Sequence, residues 1–246
     1  MMLAPPGVDF GIDGGAFGIG GGGDPTVPVW SGFNAAGRLQ LAGNGEGIQG
    51  ADAGYWCAGV FWFPTDSPAA TSVIYGATTG TTGFTVQVLT SRTVQFIHRD
   101  GAGTSRNRSI ALTAPAGFHS FFAWFTSTAI DLVVDAVDVA ELAVTGYSEP
   151  TVTPRVGASA ADATPLILGE VHAIVGGDGA VPDSTSRDAF FTTFAKQTGI
   201  GGYDGGGTAT HRWVAHVLDD AIGTSDLAKS GATPVADTTR PPLYAW

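Results

Sequence analysis

Between Gly117 and Leu142 the chain carries three short runs of strand character joined by two tight turns, and the first run constrains the fold most. Phe121, Ala123 and Phe125 fall on one face of that run and Phe122 and Trp124 on the other, because strand side chains alternate. Both faces are apolar. Such a strand is expected inside a sandwich, with a layer against each side, since an edge strand facing water does not tolerate two apolar faces.

The rest of the chain repeats this rhythm. Strands are expected over 39–41, 55–63, 72–75, 83–89, 93–98, 109–112 and 165–168, punctuated by Pro64, Gly76, Gly80, Gly83, Asp100-Gly101, Pro115 and Gly117. With Gly 37 and Pro 14 in 246 residues, turns are many, and the 43% hydrophobic content is ample for one core. The reading is all-β, in a single sandwich domain. Helix is expected only over 187–197, where Phe190, Phe191 and Phe194 form a stripe and Ser184, Thr185 or Ser186 caps the start, and more briefly over 225–229.

Residues 1–30 form a glycine-rich arm, with nine glycines in the first 23 positions, which alone does not repay its backbone entropy. Phe10, Ile12, Phe17 and Ile19 are spaced along it like hooks. The sandwich is assigned to 31–230, with an insertion carrying the short helix at 171–210, and a Pro-rich tail to 231–246. Trp30, Tyr203, Tyr244 and Trp246 lie outside the sandwich pattern, where aromatic residues anchor interfaces, stack on sugars or pack their own segment down. The hooks together with Trp30, Tyr244 and Trp246 are the expected assembly contacts.

Charge narrows the partners. A net charge of −11, from 22 acidic and 11 basic residues, opposes contact with phosphate backbones, so neither nucleic acid nor an anionic membrane is expected as a direct partner. Arg92, Arg99, Arg106 and Arg108 are the one basic cluster, on a hairpin and the loop after it; with Tyr203 they are the expected contact for an acidic neighbour or a sugar acid. No run of 18 apolar residues suggests a membrane-crossing helix, and the first residues do not read as a signal peptide. Cys57, the single cysteine, forms no intramolecular disulfide and is expected to be a buried small hydrophobe.

Catalytic patterns are sparse. Asp131, Asp135 and Asp138 are the nearest approach to paired carboxylates, with Asp135 read as a turn residue. No Gly-x-Ser-x-Gly elbow occurs, and Gly20–Gly23 runs into Asp24-Pro25 and not a phosphate-loop lysine. His211 and His216 point to opposite faces of an expected strand and make no metal pair, while His98 and His119 are expected to be satisfied hydrogen-bonding residues.

Four segments resemble the concanavalin A-like sandwich in its laminin G-like form. Ala58-Gly59-Val60-Phe61-Trp62-Phe63-Pro64 is similar to its early aromatic core strand, and Ser72–Gly76 with Gly83–Val88 to its next pair. Phe118–Phe121 through Val134-Asp135-Ala136 resembles its strand–turn–strand, with Ala136 where the family favours glycine. Pro165–Gly169 and Trp213–Ala221 resemble its closing strands. The resemblance implies a jelly-roll sandwich over roughly 38–230, without the Glu-x-Asp-x-x-Glu pattern of the glycosidase members. It also leaves room for a calcium ion at a loop rim, with Asp100, Asp135 and Asp178 as the candidate ligands, but these residues are read first as turn residues making their own hydrogen bonds, and no cofactor is expected. The expected role is non-enzymatic: a structural or adhesive component of a bacteriophage particle, decorating the capsid or associated with the tail. Such a component is assembled in the host cytoplasm, contacts other virion proteins or copies of itself, and holds a host-surface glycan. The alternatives are a soluble lectin and a polysaccharide hydrolase or lyase.

Overall fold

The computed structural model describes residues 30–31, 37–41, 54–63, 69–114, 116–148, 154–157, 170–193, 202–214, 222–223, 227–231 and 235–236. The hooks Phe10, Ile12, Phe17 and Ile19, the aromatics Tyr244 and Trp246, the expected strand over 165–168, Phe194 and His216 lie outside these residues.

Alternation of apolar side chains builds strands in chain order. They are β1 (Trp30–Ser31), β2 (Gly37–Leu41), β3 (Tyr55–Phe63), β4 (Ser72–Thr78), β5 (Gly83–Val88), β6 (Thr93–Arg99), β7 (Ser105–Ala111) and β8 (Gly117–Phe125). There follow β9 (Ala129–Val134), β10 (Val137–Asp138), β11 (Leu142–Ala143), β12 (Arg155–Val156) and β13 (Glu170–Asp178). A single short helix, α1 (Ser184–Ala189), precedes β14 (His211–Val214), β15 (Leu227–Gly231) and β16 (Val235–Ala236). Fourteen of these strands form two seven-stranded antiparallel sheets, and β1 and β16 pair as a two-stranded one. The first runs β10-β9-β8-β3-β13-β14, with β11 also on β9; the second runs β15-β2-β12-β4-β5-β6-β7. The protein is therefore an all-β sandwich of jelly-roll type.

The two-faced strand behaves as its sequence requires. Phe121, Ala123 and Phe125 point into the core between the sheets, with Phe61, Phe84, Phe96 and Trp213. Phe122 and Trp124 point outward and are buried all the same, in a second cluster with Trp56, Ala58, Val175, Phe190, Phe191 and Tyr203. The stretch read as an insertion is what covers this outer face. It opens with β13, an interior strand of the first sheet, bonded to both β3 and the edge strand β14. Sequence reading missed β13 because its end, Gly176-Gly177, looks like a turn. The two glycines are there for close approach: a Cβ at Gly176 would lie 2.5 Å from the His211 ring, and one at Gly177 would lie 2.4 Å from the Trp56 indole.

Two helix expectations are corrected. The helix starts at Ser184, capped by Asp183, whose carboxylate accepts the Ser186 N–H at 2.7 Å, and it ends at Ala189, ahead of a wider turn through 190–193. The segment expected as helix over 225–229 is instead entered by β15, paired residue for residue with β2. Five residues make too few helical bonds to repay nucleation, whereas a neighbouring strand satisfies their backbone at once.

The β9–β10 hairpin turns at Asp135 and Ala136, with φ of 51° and 63°, between the paired Val134 and Val137. Both turn residues are left-handed, as the right-handed twist of a two-residue hairpin demands. Ala136 carries a Cβ penalty that a glycine would avoid. Replacing Ala136 with Gly is expected to stabilise the fold by about 1 kcal/mol and to raise Tm by about 2–4 °C, measured by thermal unfolding.

Candidate functional site

The outer face of the first sheet is sealed by the helix and the 202–210 segment, so the open surface is on the other side. Along β6, Val94, Phe96 and His98 point inward, which turns Thr93, Gln95, Ile97 and Arg99 outward. Beside them on β7 stand Ser105, Asn107 and Ser109, all exposed, and on β5 Gln87, half-buried. The side chains form a lane across three strands. Gln87 donates to Gln95 at 2.9 Å, and Gln95 donates to Ser109 at 3.3 Å. None of these outward positions carries a carboxylate, on a chain whose net charge is −11. Three strands give a strip roughly 10 Å wide and about 20 Å long. It offers amide donors and acceptors with one arginine at its end.

This strip lies within the stretch that sequence reading singled out by its arginines, but the arginines do not act together. Arg92 sits in the β5–β6 turn with φ of 65°, and Arg99 closes β6 at its far end, roughly 20 Å away at strand rise. Arg106 is held by an ion pair to Asp100 at 2.9 Å. Arg108 lies on the inward-facing side of the edge strand, in the field of Asp131. Inward-pointing charges of this kind blunt an edge against pairing with other chains. Of these four arginines, Arg99 alone lies on the lane's face of the sheet. The amides that make the lane were missed, because Gln and Asn at period two read simply as the solvent side of a strand.

Tyr203 is corrected outright as a ligand contact. It is buried in the second cluster, its hydroxyl bonded to Ser186, and burial pushes its pKa up to about 12. Trp30 pairs through its backbone with Ala236, so the end of the arm and the start of the tail form their own small ladder.

The carboxylates named for calcium or catalysis are mostly engaged. Asp100 accepts from the amides of Ala102 and Thr104 and from Arg106. Burial pushes this carboxyl up, and those three hydrogen bonds more than reverse it, holding it below the ordinary range. Asp135 binds the His119 ring at 2.7 Å and the Ser120 amide at 2.8 Å, which fixes it as a turn residue. Asp131 is buried and accepts from the Leu132 amide, and burial raises its pKa to about 6. Asp178 has one buried oxygen without a hydrogen-bond partner among the described residues. No group of three or more His, Cys, Asp or Glu suited to a metal ion occurs among the described residues.

Two histidines are buried differently. His211 bonds the Tyr55 hydroxyl at 3.1 Å, which in turn meets Tyr75 at 3.0 Å, so a polar chain crosses the core. His98, expected to be satisfied, is not: it is wholly buried and neither ring nitrogen has a hydrogen-bond partner among the described residues. Burial lowers its pKa to about 4, against a smaller opposing pull from Asp100. Cys57 is buried, and desolvation raises its thiol far above the ordinary range.

No protein-family model matches the chain, and no curated protein matches it in sequence. Among solved structures it is similar to domains LG4-5 of the mouse laminin α1 chain, at 15% identity and a TM-score of 0.48, over 61% of this chain and 41% of that one. It is also similar to the native heptameric SAP-like pentraxin of Limulus polyphemus, at 10% identity and a TM-score of 0.48, over 69% and 84% of the two chains. A third is the CBM40 of the Ruminococcus gnavus IT-sialidase bound to α2,3 sialyllactose, at 9% identity and a TM-score of 0.44, over 59% and 88%. The chain thus spans less than half of the laminin chain it matches.

Proposed function

We propose that this protein is a non-enzymatic adhesive component of a bacteriophage particle, and that its sandwich presents the β5–β7 face to a glycan on a host surface. The observation that carries the reading is the contrast between the two outer faces. One is buried under its own helix; the other is a carboxylate-free lane of amides and hydroxyls, exposed along β7 and half-buried along β5 and β6, whose paired donors and acceptors suit the hydroxyls of a sugar. The engaged state of Asp100 and Asp135 supports a binding role over a hydrolytic one. The arm and tail serve as the clasp to neighbouring virion proteins or to copies of the chain, and their apolar hooks at Phe10, Ile12, Phe17 and Ile19 support this.

Glycan-array binding and sedimentation of the full chain, alongside a variant carrying both Gln95→Ala and Asn107→Ala, test the reading. The natural protein is expected to select a glycan, and the double variant to bind it about tenfold more weakly, as loss of two hydrogen bonds of roughly 0.7 kcal/mol each gives. Binding that survives the double change, or none in the natural protein, overturns the assignment of this face. A chain that sediments as a monomer and selects a sugar favours the free lectin over the particle component.

A further inference from the structure

The segment from Val144 to Ser148 crosses one end of the sandwich and is bonded to both sheets. On the first-sheet side, the amides of Val144 and Gly146 donate to the carbonyls of Thr128 and Ser127, at 2.8 and 2.6 Å. On the second-sheet side, the Gly101 amide donates to Thr145, the Ser148 amide to Arg99, and the Gly83 amide to Ser148, at 3.0, 2.8 and 2.8 Å. The Ser148 hydroxyl adds a bond to the Asp100 carbonyl at 2.7 Å. Tyr147 packs its ring on Phe125 at 4.8 Å and on His98 at 6.0 Å. Beneath it lies the His98 ring, 4.5 Å from Phe125, with no hydrogen-bond partner among the described residues for either nitrogen.

We infer that this strap is an acid-released latch: protonation of His98 costs the closed state and frees Val144–Ser148 from the end of the sandwich. An imidazolium needs two acceptors, and the closed state offers it aromatic carbon. The charged and titratable groups near it do not supply them. On its own strand and turn, Asp100 is occupied by Ala102, Thr104 and Arg106. On β7, the cross-strand neighbour is Arg106, a like charge. β5 presents Phe84 opposite His98, β8 presents Phe125, and the strap presents the phenol of Tyr147. Only opening brings water to the ring.

The sign follows from linkage. His98 titrates near 4 when closed, against an ordinary value of 6.5, so the open state binds more protons between these values. The latch is fully stable above about pH 6.5 and weakens as pH falls toward 4.

Hydrogen exchange of the full chain, corrected for intrinsic rates, reads this directly. From pH 7 to pH 5 the opening of the strap amides is expected to rise about 20-fold, while Phe122 and Ala123 in β8 keep their protection. In His98→Leu and in His98→Phe the rise is expected to vanish. Strap amides that ignore pH in the natural protein, or a rise that persists in either variant, overturn the proposal. Equal loss at the β8 amides also overturns it, because acid then acts on the whole sandwich and not on the latch.

Discussion

Replacing Trp56 with Ala is expected to destabilise the protein by about 3–5 kcal/mol and to strip protection from the helix and the 202–210 segment before the rest of the sandwich. Trp56 points away from the core between the sheets. Its indole stacks on Phe122 at 5.3 Å and 9°, and meets Tyr203 edge-on at 6.1 Å. It is wholly buried, and Gly177 leaves room for it where any side chain would collide. The cap over this face is short and contributes chiefly Phe190, Phe191 and Tyr203, each worth about 1.5–3 kcal/mol when buried. Without the indole the three lose their common surface. Trp56→Phe is the control: Nε1 has no hydrogen-bond partner among the described residues, so the aromatic replacement costs packing alone. Urea unfolding together with hydrogen exchange measures both effects. A loss spread evenly over both sheets contradicts the account.

Gly83→Ala is expected to cost roughly 2–4 kcal/mol, through backbone strain and a collision that no rotamer relieves. Gly83 opens β5 with φ of 86°, and a Cβ there would sit 1.6 Å from the Ala77 carbonyl oxygen, which is backbone in the paired strand. Its amide also donates to Ser148, so the change disturbs the strap as well as the sheet. Gly80, three residues earlier in the same turn region, has open space where its Cβ would go. Gly80→Ala is therefore expected to stay within about 0.5 kcal/mol of the natural protein. Thermal and denaturant unfolding of the pair isolates steric cost from any general effect of losing a glycine.

The latch and these two changes meet at one end of the sandwich, and they differ in how visible they are in the sequence. His98 looked like an ordinary strand residue. Nothing along the chain announces that Tyr147 will lie over it or that neither of its nitrogens will have a hydrogen-bond partner among the described residues. Tyr203 looked like a free aromatic in a glycine-rich loop, because its partner Ser186 and the ring of Trp56 are distant in sequence. The arginines looked like one patch, since they are close along the chain. The extended backbone of β6 then separates Arg92 from Arg99, and the ion pair to Asp100 takes Arg106 out of use.

What was legible came from local periodicity. Alternation over Tyr55–Phe63 and Phe121–Phe125 marks strands apolar on both faces, and such strands fit only in the interior of a layered β fold. The residues at Asp135-Ala136 mark a tight turn for the same reason: few conformations join two strands so closely. Periodicity states that a face must be covered and is silent about what covers it. Three choices therefore rested on long-range packing: the segment with Phe190 and Tyr203 that seals the outer face, the glycine-ended β13 inside the sheet, and the amide lane left open on β5–β7. Each turns on contacts between residues far apart in the chain, whose free energies exist only once the sheets have formed.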